Sequence, residues 1–149
     1  MSDSITVFLN KQNMPTAMEW AKAIEKEGFG LKIDTSYEEE INSDGFYGFR
    51  PCKYYDLEDV GYELDILLRE ENLDDFSEWD EMFSEIKQYD SAVVFGVYSE
   101  YDSYASMVAG CVLAKISGGI YFDLDEPVDL NELCLQCKDI DHKLKTNIG

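Results

Sequence analysis

Ile5, Val7 and Leu9 recur at every second position of the β-rich run SITVFLN, the period of a strand, and the next stretch, KQNMPTAMEWAKAIEKEG, changes to a helical period. Ala17, Trp20, Ala21 and Ile24 fall on one helical face that should pack on a sheet. Pro15 suits the first turn, Thr16 with Glu19 can form a capping box, and Gly28 supplies the stop, which predicts a helix over 15–27. FGLKID reads as a short strand, and TSYEEEINSDG as a polar connection. GFYGFRPCKYY and VGYELDILL read as two strands of a hairpin joined by a longer loop at DLED. Pro51 cannot donate to a ladder, so it places the first of them at a sheet edge or at a bulge.

The segment REENLDDFSEWDEMF combines seven carboxylates with three large aromatics. Phe76, Trp79, Phe83 and Ile86 recur at steps of three and four, which predicts a helix over 75–88, capped by Asp75 with Glu78, whose aromatic stripe anchors it to the body. Asp74, Asp75 and Glu78 lie near the positive end of the helix dipole, worth ~0.3–1 kcal/mol each while exposed. SAVVFGVY is a nearly continuous apolar run that suits a central strand. A helix over 103–116 follows, capped near Asp102 or Ser103, with Ala105, Ala109, Gly110, Cys111 and Ala114 small enough to lie close to a sheet. GIYFDLD returns as a strand, so strand, helix and strand predict a βαβ unit with parallel strands. Asp129 with Glu132 opens a closing amphipathic helix over 129–144, and TNIG beyond it is expected to fray. The fold class predicted is α/β (α+β): a single domain over 1–149, with a mixed central sheet of about six strands and four helices packed on it.

Composition sharpens this picture. With 45% hydrophobic and 13% aromatic residues the chain can build a core, so its net charge of −20 decorates a folded body. Twelve scattered Lys and Arg argue against direct nucleic-acid binding. The absence of a basic n-region or a long apolar run in MSDSITVFLNK, and of a membrane-spanning segment later, predicts a cytoplasmic location and no membrane contact. The partner that suits such a surface is basic.

Candidate chemistry is sparse. Cys134 and Cys137 form CLQC inside a predicted helix on its apolar side, whereas a thioredoxin-like pair stands at a strand-to-helix turn, so both are expected to be core residues. Cys52, Cys111 and His142 offer no second ligand pair at zinc spacing. His142, the single histidine, lies off the apolar stripe and is expected to be exposed. Asp123, Asp125, Glu126 and Asp129 bunch like calcium ligands, but the glycine of an EF-hand turn is missing and Pro127 interrupts the spacing. Gly118 and Gly119 run from helix into strand, the reverse of a phosphate cradle. No catalytic, cofactor or metal residue is assigned.

GFYGFRPCKYY with VGYELDILL, and MVAGCVLAKISGGIYFD, resemble in their order of elements over residues 5–125 the small acidic immunity proteins encoded beside bacterial polymorphic toxins of the contact-dependent or type VI kind. That resemblance implies a non-catalytic protein that binds a cognate toxin domain tightly and blocks it. It supplies no contact residues, because such surfaces vary from pair to pair. Charge alone selects Glu70, Glu71, Asp74, Asp75, Glu78, Asp80 and Glu81 as candidate partner-binding residues, within a segment from Asp56 to Asp90 that holds fourteen acids against Arg69 and Lys87. Three other readings fit the same residues: an acidic adaptor or nucleic-acid mimic binding a basic host or phage protein, an enzyme acting through Cys52 or Cys111, and a merely solvated acidic face.

Overall fold

The computed structural model describes residues 5–34, 47–55, 57–96 and 100–148. Seven strands form one sheet: β1 (Ile5–Leu9), β2 (Leu31–Ile33), β3 (Tyr47–Tyr54), β4 (Leu57–Leu68), β5 (Ser91–Gly96), β6 (Ile120–Asp123) and β7 (Glu126–Pro127). Their order is β2-β3-β4-β5-β1-β6-β7, and every pairing is antiparallel. Four helices accompany them among the described residues: α1 (Ala17–Glu27), α2 (Leu73–Met82), α3 (Glu100–Ser117) and α4 (Leu130–Ile148). The fold is therefore α+β, as expected, but its sheet is not mixed.

The difference lies at β5, α3 and β6. These two strands do run in the same direction, yet they do not pair, because β1 lies between them and bonds to both. Val7 pairs with Val93 on one side and Tyr121 on the other.

Alternation along the strands sorts the core into two layers. Val7, Leu9, Tyr62, Leu64, Val93, Phe95 and Tyr121 face a large cluster completed by Trp20 and Ile24 of α1, by the small face of α3, and by Leu133, Cys137 and Leu144 of α4. Phe8, Ala92 and Phe122 face the other way and meet Phe76, Ile86 and Tyr89 in a second, smaller cluster. Close approach of α3 depends on Gly110, where a Cβ would come within 2.9 Å of the Tyr121 ring.

Local signals set the ends of α1. Thr16 and Glu19 form both bonds of the capping box, and Gly28 closes the helix in the left-handed region at φ 81°. Pro15 stands just before the cap rather than in the first turn. Other boundaries shift for non-local reasons. β4 begins at Leu57, where a longer loop at DLED was expected, and Leu57 pairs with Tyr54 of β3. β3 is an interior strand that tolerates Pro51 beside a bulge at Cys52–Tyr54: the Pro51 carbonyl accepts from Asp34 N, so its missing donor also points toward β2 and away from β4. α3 starts at Glu100, ahead of the expected cap, and the Asp102 carboxylate instead accepts from Gly61 N at 3.0 Å, beyond the end of the β4–β5 ladder. In α4 the Asp129 carboxylate accepts from Asn131 N, and the helix continues through Thr146 to Ile148 where fraying was expected. The connection at 35–46 and the end of SAVVFGVY fall outside the described residues.

Candidate functional site

The acidic segment from Asp56 to Asp90 does not form one surface. Its first half is β4, where Glu63 and Asp65 are half-buried on the sheet. Burial first, and then the neighbouring Glu63 charge, hold the Asp65 carboxyl above its ordinary range. An acid raised in the folded state penalises folding while ionised, and the penalty disappears as pH falls through the raised value toward the ordinary one. Asp65→Asn is therefore expected to melt higher than the parent at pH 7, with the gap closing by about pH 4. A gap that stays constant over that range in calorimetric scans would rule out ionisation as its cause.

The second half builds the candidate surface. Leu68 leads into a 3-10 turn at Arg69–Glu71, and Asn72 precedes α2. The helix begins two residues before Asp75, which therefore sits in the first turn with Asp74 instead of capping it, and no side chain caps this end. α2 ends at Met82 with Phe83 as its C-cap, and a further 3-10 turn, Ser84–Gln88, carries Ile86 back to the core. The aromatic stripe anchors as expected: Phe76 and Trp79 meet the Phe8 ring edge-on at 6.4 and 5.2 Å, and Phe83 packs on Phe122.

Arg69 locks this arrangement. Its guanidinium donates to both Asp80 carboxylate oxygens, at 2.6 and 3.1 Å, and to the carbonyls of Ile86 and Tyr89, while lying 4.6 Å above the Phe76 ring. Asp80 is thus half-buried and committed to the fold, which sets it apart from the other six candidates. Glu70, Glu71, Asp74, Asp75, Glu78 and Glu81 are all exposed. Among them stands Leu73, 65% exposed, which the reading of charge passed over although it occupies an apolar position three residues before Phe76. It borders a groove of about 380 Å³ against Leu68 and Ser91, and also a shallow depression formed by Glu70 to Asp75.

The residues weighed for chemistry sit elsewhere. Cys52, Cys111 and Cys137 are buried and Cys134 is half-buried, with the CLQC pair inside α4. Burial pushes the Cys111 thiol up to about 11 and the Cys137 thiol up to about 12, so both stay protonated at neutral pH and are poor nucleophiles. His142 is exposed, and Thr146 Oγ1 donates to its carbonyl. Asp123 to Glu126 form the tight β6–β7 turn, with Leu124 at φ 56°. Among the described residues no three His, Cys, Asp or Glu side chains converge as metal ligands would.

One cluster had no sequence signal. Tyr54 Oη donates to the Asp141 carboxylate at 2.6 Å, the Tyr55 hydroxyl lies 3.4 Å from the same group, and Tyr104 and Tyr101 pack around the Tyr54 ring. Burial, then Asp141, pushes the Tyr54 phenol upward, so it serves as a permanent donor that ties the hairpin tip to α4. Among the described residues no helix is long and apolar enough to cross a membrane. Comparison with protein-family models, with curated proteins and with solved structures gave no match.

Proposed function

We propose that this protein is a non-catalytic inhibitor that binds a basic protein domain through α2 and the turn before it, in the manner of an immunity protein that neutralises a cognate bacterial toxin. One observation carries the reading: six exposed carboxylates project from α2 and the 3-10 turn before it, while the guanidinium of Arg69 in that turn is bound to Asp80. The surface is thus held rigid and left strongly negative at the same time. Such a face can occupy a basic substrate cleft and accelerate association by steering.

The test is co-expression with the products of the reading frames that flank its gene, one of which this reading expects to be a toxin domain. The parent protein is expected to restore growth and to bind that domain in a stoichiometric complex weakened by salt. Changing Glu70 and Glu71 to Gln and Asp74 and Asp75 to Asn together should weaken the complex roughly 100-fold, mostly through slower association. Unchanged affinity in that variant, or binding indifferent to salt, would sink the proposal. Capture of a DNA-binding protein of the host in place of a toxin would favour the adaptor or nucleic-acid-mimic reading.

A further inference from the structure

The carboxylates explain attraction to a basic partner but not how that partner would be held in register. Leu73 addresses this second question. A leucine at the start of a ten-residue helix, 65% exposed, has its side chain in water without structural necessity, because the anchoring of α2 is supplied by Phe76, Trp79 and Phe83. Beside it the groove of about 380 Å³ has Leu68 and Ser91 in its wall and Lys11, Glu70 and Asp90 on its border, and the Arg69 guanidinium at its edge is bound to Asp80 and to the carbonyls of Ile86 and Tyr89. Glu70, Glu71, Asp74 and Asp75 lie immediately around the leucine on the exposed side.

The geometry points to a docking groove for one apolar side chain of the partner, seated against Leu73 and Leu68, with lysines or arginines next to it in the partner chain reaching the four surrounding carboxylates. This rests on the proposed inhibitor reading and specifies its contact. An apolar anchor in a desolvated centre, ringed by polar contacts, is how protein interfaces concentrate affinity. Charge complementarity selects the occupant. A second copy of this chain, itself of net charge −20, would be repelled, whereas a basic segment gains both contacts.

Two synthetic heptapeptides serve as probes, each of six lysines around a central residue, phenylalanine in one and serine in the other. Titration followed by amide shifts is expected to give roughly tenfold tighter binding for the phenylalanine peptide, with the largest shifts at Leu68, Arg69 and Ser91. Leu73→Ser should erase that preference while leaving the melting temperature and the salt dependence unchanged. The groove proposal fails if the two peptides bind equally, if neither binds, if the preference survives in Leu73→Ser, or if the parent self-associates through Leu73. Equal, strongly salt-dependent binding removes the groove alone and leaves the acidic surface standing. Lysine peptides that bind without salt dependence remove both.

Discussion

Arg69→Ala is expected to destabilise the protein by about 2–4 kcal/mol, since the substitution leaves a half-buried carboxylate and two carbonyls without their donor and removes the cation from the Phe76 ring. Ten residues are too few for a helix to persist by itself, so the loss should fall first on α2. Emission from Trp79, half-buried against Phe8, should shift to the red before the rest of the fold melts. Partner binding should weaken as well, because Arg69 lines the proposed groove and holds α2 beside it. Asp80→Asn, which keeps a hydrogen-bond acceptor, should cost clearly less. Equal costs for the two variants, or a Trp79 signal that changes only with global unfolding, would mean that α2 does not depend on this arginine.

Trp20→Ala carries the largest expected effect, about 3–5 kcal/mol. The indole is 1% exposed, its Nε1 donates to the Ala109 carbonyl at 3.0 Å, and its ring lies 5.7 Å from Tyr62 and 6.0 Å from Phe95. One side chain thereby joins α1, α3, β4 and β5. At about 3 °C per kcal/mol for a domain of this size, the melting temperature should fall by about 10 °C or more. Trp20→Phe keeps most of the volume and should lose about 1–2 kcal/mol. Thermal unfolding followed by circular dichroism decides the matter; a loss below about 1 kcal/mol in the alanine variant would show that the site collapses around the missing ring.

Features decided by neighbouring residues were legible in the sequence. The capping box at Thr16 and Glu19 and the left-handed stop at Gly28 are local chemistry, and they form as written. The anchoring stripe of α2 was equally plain, since Phe76, Trp79 and Ile86 need only a helical period and a turn to reach one surface. Pairing decided across the chain was not legible. Nothing in ITVFL says that it should part β5 from β6, and nothing in Arg69 announces Asp80 eleven residues away, because both depend on how the sheet is assembled. The end of α2 after Met82 belongs to the same class: the sequence keeps its helical period to Ile86, but Phe83 is extended and packs on Phe122, and the chain goes on as a 3-10 segment. For the candidate surface, charge identified six exposed carboxylates and also Asp80, which the fold consumes. It missed Leu73, which is more exposed than Met82 at the other end of α2 and whose exposure opposes its chemistry.

The place of β1 in the sheet also orders events during synthesis. Ile5–Leu9 leaves the ribosome before either of its neighbours, and its two partners, Ser91–Gly96 and Ile120–Asp123, are made more than eighty residues later. Until then the apolar ITVFL has two open hydrogen-bonding edges and no native ladder to join, the condition under which nascent strands are most exposed to pairing with other chains. Closure of the sheet is a long-range event of the kind that slows folding. The strand translated first among the seven is thus among the last to be seated on both sides.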